Sequence, residues 1–536
     1  MNTLTGSLLV LILALPLLSM ATIASLATNS LRSARISGAL NALAFLLAAA
    51  LLVLVSVRGS VSVTAVPIDG GMIGFHADRI VGVLLMLVTG VSAVVQAFAG
   101  RYLHGDLRAK RFFVGANLLT AATAAMVASA TLIGLATAWT ASGLALLVLL
   151  GMYPGLASAD LGFRRTGRAF LIGDLALWCG VLIATLEWGN LSLANLDEAG
   201  LTDGNGSAIL TVVACLLVVA ALSRSAQVPF QKWLPSTLAV PTPVSALLHA
   251  GVVNAGGILL VRTSPLFGES AMATHLAFFA GAATAAYGTA LMISKPDVKG
   301  ALAHSTTGQM GFMIMTCGLG AWAAAIFHLV AHGMYKASLF LGSGSAVNQR
   351  SRNLQAPPPP PGTARAGTKR IAAFSILVPA VVVLISAATL YPDITPATGA
   401  LLIFAWATAA WATRGWLARR PGFSGLMTAT AAVCLAVPAY VLALSLATAF
   451  LNPELVSAGE ATVSPWWLAA FLPALWLARP TGKSSGPVSE FRRNAYVSAL
   501  GASQVRPSQP GWTSRFRIPS PAPVGGLATE SQGVRT

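Results

Sequence analysis

Residues 223–262 read SRSAQVPFQKWLPSTLAVPTPVSALLHAGVVNAGGILLVR. The run begins at Arg224, crosses prolines 229, 235, 241 and 243, and ends in an apolar segment that holds His249. Prolines at this density break a regular helix, because each lacks an amide hydrogen and clashes with the preceding turn. Irregular backbone at membrane depth persists only where protein or a wet cavity satisfies its polar groups. The stretch therefore predicts a helix broken near 224–240, beside a cavity around Arg224. An interfacial loop is the other reading of the same prolines.

Further along the chain, His304, His328, His332 and Lys336 add to Arg224 and His249. The surroundings are almost entirely hydrocarbon. An ionisable group in lipid costs roughly 2.5–3.5 kcal/mol on insertion scales, so these six must face one another or water. His328, His332 and Lys336 recur at i, i+4 and i+8, which keeps them near one helical face. Histidine titrates near neutral pH and passes a proton at little cost; a desolvated lysine becomes able to do the same. The pattern predicts a buried proton path, with a set of interhelical hydrogen bonds as the structural alternative. Arg224 carries no protons, because guanidinium stays charged. It sets the local field, steers water or holds an anion. His249, with Ser245 and Asn254, is placed to link the Arg224 cavity to the histidine stripe through water. His304 and Lys299 flank the start of the tenth helix, where His304 is either an access group or an interfacial side chain. Gln309, a turn further in, is suited to ordering water. His76 and His104 read as loop residues.

The composition fits a membrane setting. Of 536 residues, 56% are hydrophobic and 9% charged, against about 25% charged in soluble domains. Mean hydropathy is +0.75. Apolar runs of about 20 residues, the length that crosses a bilayer, recur at 3–29, 36–57, 79–100, 112–130, 131–152, 169–190, 207–223, 242–262, 272–294, 297–318, 321–348, 371–391, 397–415, 424–450 and 465–478. They predict an all-α polytopic membrane protein with about 14 or 15 spans. The first run, Thr3 to Leu26, has no preceding Lys or Arg and reads as a retained helix rather than a signal peptide.

The net charge of +17 is a topology signal, not a nucleic-acid surface. Basic loops are expected after the first, third and fifth helices (Arg32 and Arg35; Arg101, Arg108, Lys110 and Arg111; Arg164, Arg165 and Arg168), and acids lie in the loops between, with Arg58 and Arg262 as exceptions. The positive-inside rule places the N-terminus outside and the C-terminus in the cytoplasm of a bacterial inner membrane. Cys179, Cys215, Cys317 and Cys434 lie singly in apolar runs and read as buried small hydrophobes. Pro357 to Pro361 predicts a stiff polyproline stretch, and the polar tail from about Gly482 predicts disorder. The organisation is then 1–78, N-terminal helices and an external loop; 79–350, a translocation core; 351–370, a Pro-rich cytoplasmic loop; 371–480, C-terminal helices; and 481–536, a polar tail. No nucleotide fingerprint, metal set or nucleophile triad is present, so no cofactor is expected on this chain.

Residues 223–262, with DVKGALAHSTTGQMGFMIMTCGLGAWAAAIFHLVAHGMYKASLFLGSGS at 297–345, resemble the antiporter-like membrane subunits of complex I (subunit L), Mrp cation/proton antiporters and membrane-bound hydrogenases. LLHAGVVNAGG and GQMGFMIMTCGLGAWAAAIFHL look most like the DabB subunits of inorganic carbon transporters. The resemblance implies a transporter subunit that conducts H⁺ or Na⁺. Its partner would be a cytoplasmic DabA-like protein resembling a β-carbonic anhydrase, and zinc is expected on that partner. A redox-complex or Mrp antiporter subunit, and a passive anchor with a degenerate path, are the other readings. The family's Trp-Glu pair aligns with Trp139-Thr140, so that acid is missing, and the family lysine aligns with Arg224. The acid of the sixth helix is kept as Asp174, a counter-ion for Arg224 or for Lys336. The exit-side lysine motif and the long lateral helix have no counterpart.

Overall fold

A computed structural model describes residues 2–26, 29–68, 71–194, 196, 206–295, 297–355, 368–391, 395–420, 422–455, 463–464 and 467. Two helices come first, α1 (Asn2–Leu26) and α2 (Ser30–Arg58), then a hairpin of β1 (Val61–Ile68) and β2 (Gly71–Ala77). Next are α3 (Arg79–Tyr102), α4 (Ala109–Ala128), α5 (Leu132–Leu150), α6 (Ala157–Trp188) and α7 (Gly206–Arg224). The middle of the chain holds α8 (Thr242–Ala250), α9 (Ala255–Arg262), α10 (Ser264–Gly268), α11 (Ala271–Ser294), α12 (Val298–Gly318), α13 (Trp322–Leu341) and α14 (Ser343–Gln355). Last are α15 (Thr368–Leu390), α16 (Pro396–Arg419) and α17 (Phe423–Leu451).

Twelve spans among the described residues are long and apolar enough to cross a bilayer. The sequence predicts 14 or 15. The difference is α12 and α16, which have the length but are more polar, and run 465–478, which lies outside the described residues. The polyproline stretch and the tail lie outside them too. Leu46, Val53, Leu171, Leu182, Leu384 and Leu435 are exposed on the outer faces of α2, α6, α15 and α17. A multi-pass membrane protein places such side chains against lipid. Cys179 and Cys434 are exposed as well, which corrects their reading as buried; only Cys317 is fully enclosed. Lipid accepts a thiol as readily as a protein core does, so burial cannot be inferred from an apolar run alone.

The basic residues sit in helices more than in loops. Arg32 and Arg35 lie in the first turns of α2, Lys110 and Arg111 in those of α4, and Arg164, Arg165 and Arg168 in the 32-residue α6. These helices run past their apolar stretch, because long cationic side chains reach the interface while the backbone stays hydrogen-bonded. Run 321–348 is likewise two helices, parted at Gly342.

Neutral polar residues lock α2, α3 and α4 together. Asn117 Nδ2 donates to Ser37 Oγ (2.8 Å) and Gln96 Oε1 (3.0 Å), and its Oδ1 accepts from Asn41 Nδ2 (2.9 Å). Gln96 Nε2 donates to Ser92 Oγ at 2.7 Å, and the Ser92 and Thr120 hydroxyls are 2.7 Å apart. All six are buried. Packing between α11 and α12 is of another kind. These two helices form the most extensive pair in the fold, and their glycines face each other. A Cβ added to Gly311 would fall 2.6 Å from the Gly281 carbonyl oxygen, so the backbones touch. Close approach through small residues is how helices gain dispersion energy where lipid removes the hydrophobic drive.

The predicted break after Arg224 is present. The backbone caps α7 with Gln227 N donating to Leu222 O (2.8 Å) and Ala226 N to Ser223 O (3.3 Å). Ala226 takes the left-handed conformation, φ +53°, that this cap requires and that glycine usually fills. Residues 225–241 then run irregularly apart from a single 3-10 turn, Leu234–Thr237. A second break corrects the expectation of one helix over 242–262. The segment stops at Gly251, makes a 3-10 turn over Val252–Asn254, and restarts as α9. Ser225 Oγ donates to Val253 O at 2.7 Å, so one break satisfies the other. Val228 N donates to Thr284 Oγ1 of α11 at 3.0 Å. The non-helical backbone is thus buried in protein, as the bilayer demands.

Candidate functional site

The ionisable residues predicted from sequence fall into two groups. The first joins α5, α6 and α7. Arg224, 1% exposed, donates from Nη2 to Asp174 Oδ1 at 2.9 Å. Its Nη1 donates to Trp139 O (3.3 Å) and Ser142 Oγ (3.1 Å). Trp139 Nε1 donates to the same Asp174 oxygen at 2.7 Å. The guanidinium lies between the Trp139 ring (4.4 Å) and the Phe170 ring (4.1 Å). Arg224 is therefore the partner of Asp174, and Lys336 is not. A planar cation held by two rings and three acceptors is a fixed charge. Thr140, at the missing acid's position, accepts from Trp178 Nε1 at 3.0 Å and supplies no charge.

The second group lies at the α8/α9 break, where α8, α12 and α13 meet. Lys336 is fully buried; its Nζ donates to Ser305 Oγ (2.7 Å) and Leu302 O (3.3 Å), both on α12. His332 lies one turn away and its Nε2 contacts the His249 carbonyl oxygen at 3.2 Å. That carbonyl is available because the α-helical ladder stops at Gly251. The His249 ring stacks on Phe340, centroids 4.3 Å apart. His328 stands next to His332, ring centroids 5.8 Å apart, and packs on Phe312. Over the eight residues from His328 to Lys336 the stripe spans about 12 Å of depth at 1.5 Å per residue.

Many polar atoms here are buried without a protein partner: both ring nitrogens of His249 and of His304, His328 Nε2, His332 Nδ1, Ser245 Oγ, Asn254 Oδ1 and Gln309 Oε1. Buried polar atoms in native proteins are almost always hydrogen-bonded, to protein or to water. A run of them along one seam is what a chain of water molecules satisfies. His304 is 2% exposed, so its ring is enclosed by protein. A cavity of about 30 Å³ adjoins the break, lined mostly by apolar side chains with Thr120, Thr123 and Asn254 as its polar members. Its volume admits water, which needs about 10–15 Å³ and polar partners such as these three. Arg224, expected beside a cavity, does not line it and is packed between two rings instead.

Sequence reasoning missed Ser305, which holds the lysine, and a third cluster at the hairpin end. His76 is in β2 and 6% exposed, not in a loop. Asp78 Oδ2 accepts from Arg262 Nη1 at 3.1 Å and lies 3.8 Å from His76 Nε2. Asp78 Oδ1 caps α3 by accepting from Val81 N at 2.7 Å. Arg262 Nη2 donates to Ser129 O at 2.8 Å. Burial lowers the His76 pKa below its ordinary value, against the pull of Asp78 and with the push of Arg262. The signal in the sequence was Arg262 itself, an exception to the charge pattern that has a buried partner.

Residues 129–416, more than half of the chain, match the family model described as NADH:quinone oxidoreductase/Mrp antiporter, transmembrane. The chain belongs to this family. Residues 71–113 also match the N-terminal model of complex I chain 5. Among curated relatives of this antiporter-like family, a probable inorganic carbon transporter subunit DabB1 of Halothiobacillus neapolitanus is 35% identical over 62% of this chain and 62% of its own. A probable DabB of Bacillus subtilis is 35% identical over 53% of this chain and 56% of its own. NADH-quinone oxidoreductase subunit L of Mycobacterium tuberculosis is 35% identical over 51% of this chain and 44% of its own. The chain thus spans about three fifths or less of the length of each. The Mrp complex of Dietzia sp. shares the fold with TM-score 0.58 and 24% identity, over 92% of this chain and 56% of that one. Complex I of Thermus thermophilus shares it with TM-score 0.55 and 20% identity, over 92% and 94%.

Proposed function

We propose that this chain is the membrane subunit of an inorganic carbon accumulation complex. It conducts H⁺, with Na⁺ as the alternative ion, and drives one-way hydration of CO₂ to bicarbonate on a cytoplasmic, DabA-like zinc protein. The observation that carries conduction is the seam of buried, unpartnered histidine nitrogens ending on the Ser305-bound Lys336. His249, His304, His328, His332 and Lys336 form the path. Arg224 and Asp174 supply a fixed, internally neutralised pair at its side. Carbon as the cargo is supported by the two DabB relatives. One charge falling through 100 mV releases about 2.3 kcal/mol, which shifts a coupled equilibrium roughly 50-fold. The partner's zinc supplies hydroxide. With the positive-inside pattern, the basic end lies in the cytoplasm and the hairpin end outside a bacterial inner membrane.

The equal identity to a subunit L supports a second reading, a proton-conducting subunit of a redox complex. Affinity purification from native membranes separates the two. A single large zinc protein as the companion is expected; flavin and iron–sulfur subunits would replace the first reading with the second. A protonophore is expected to stop carbon uptake by cells that carry the pair, and unchanged uptake would refute ion-driven hydration.

A further inference from the structure

The conduction path needs an opening to solvent at the hairpin end. The residues between the α8/α9 break and that end bear on where it lies. The cavity beside Asn254 lies between α3, α4 and the α8/α9 break, and its lining includes Leu84 and Ile258. Ile258 is one turn from Arg262 on α9, and Leu84 is less than two turns from Asp78 on α3, so the cavity stops that far short of the Arg262–Asp78 ion pair.

Beyond the pair stands His76. Its Nε2 faces Asp78 Oδ2 at 3.8 Å on the buried side. Its Nδ1 is hydrogen-bonded to Ser62 Oγ at 2.9 Å, and Ser62, on β1, is exposed. One imidazole thus has one nitrogen toward the buried carboxylate and the other toward a residue in contact with solvent. The charged groups packed around it are Asp78 from the start of α3 and Arg262 from α9. Arg79 and Glu454, 3.9 Å apart, lie just beyond.

We propose that His76, flanked by Asp78 and Ser62, is the port through which protons pass between the interior path and the solvent at the hairpin end. This rests on the conduction reading above. A proton from bulk water enters through Ser62 and binds Nδ1 of the neutral ring, and the imidazolium forms beside Asp78. The Nε2 proton then leaves to water on the buried side. One N–H bond forms as one breaks, and return of the remaining proton from Nδ1 to Nε2, by a ring flip or through solvent, resets the ring. Two ring nitrogens, one facing in and one facing out, suit this task, which a residue serving only to brace the hairpin does not require.

The test uses the full chain with its membrane-associated partner, reconstituted in liposomes with a trapped pH dye. His76→Asn keeps a group at the Nδ1 position for Ser62, and His76→Gln keeps one at the Nε2 position toward Asp78. Neither titrates. Both variants are expected to lose about tenfold in proton flux, and to lose the dependence of flux on pH at the hairpin side. A bracing role predicts instead that at least one amide restores wild-type flux, with any loss appearing as a lower melting temperature. Wild-type flux and pH profile in either variant overturns the port. Lys336→Met serves as the reference. If it halts flux while the His76 variants conduct normally, only the port fails; if it too conducts, the conduction reading has failed.

Discussion

At the level of single residues, two cations in one bundle have opposite characters. Arg224 is clasped by two rings, a carboxylate and two further oxygens, while Lys336 is held by one hydroxyl and one carbonyl. The first arrangement holds a fixed charge, and under the proposed conduction the second is the one that exchanges a proton. Lys336→Met should cut proton flux in liposomes by about a hundredfold, and Ser305→Ala, which removes its strongest partner, by less. Arg224→Leu strands Asp174 and should cost about 3 kcal/mol in detergent unfolding, whereas Arg224→Leu with Asp174→Leu should recover most of that loss. Of these groups, His328, His332 and Lys336 are legible from spacing, Arg224 from its isolation among apolar neighbours, and Asp174 only through the family resemblance. Their partners are not. Ser305 and Trp139 come from other helices, and nothing local to Lys336 or Asp174 names them.

Elements show the same division. The break at Arg224 was legible because prolines announce it. The break at Gly251 was not, since Gly-Val-Val-Asn is tolerated within apolar helices and only the tertiary bond from Ser225 to Val253 O fixes the turn there. Ala226→Gly should stabilise the α7 cap by about 0.5–1 kcal/mol, because alanine gives up that much to hold a left-handed conformation; equilibrium unfolding measures it. In α4, Asn117→Leu leaves Ser37, Asn41 and Gln96 with missing partners and should cost about 2 kcal/mol by the same assay. These neutral residues passed unnoticed in the sequence because serine and asparagine carry no charge to mark them. At the hairpin, His76 has its folded pKa below the ordinary value. The unfolded form then binds more protons, so the stabilisation is present above about pH 6.5 and is lost as pH falls through the lower folded value. Protection factors of the β2 amides, which correct for the intrinsic slowing of exchange in acid, should fall on acidification, and His76→Gln should abolish that response.

Over the whole molecule, the hydrocarbon runs located the spans well but overstated how many are fully apolar. α12 carries Lys299, His304, Ser305 and Gln309, so it crosses as a polar-faced helix sheltered by α11 and α13. The hairpin escaped notice because β1 and β2 are short and follow directly from an apolar helix. Its consequence is global, since Asp78, at the start of α3, ties α3 to Arg262 at the end of α9.

The glycine-to-backbone contact of α11 with α12 limits how such a bundle changes shape. Two main chains in direct touch have no side chains between them to repack, so the pair shifts as one rigid plank or stays still. The jointed α8/α9 segment, parted at Gly251, meets this plank through α9. Its turn is held by the tertiary bond from Ser225 to Val253 rather than by a continuous ladder.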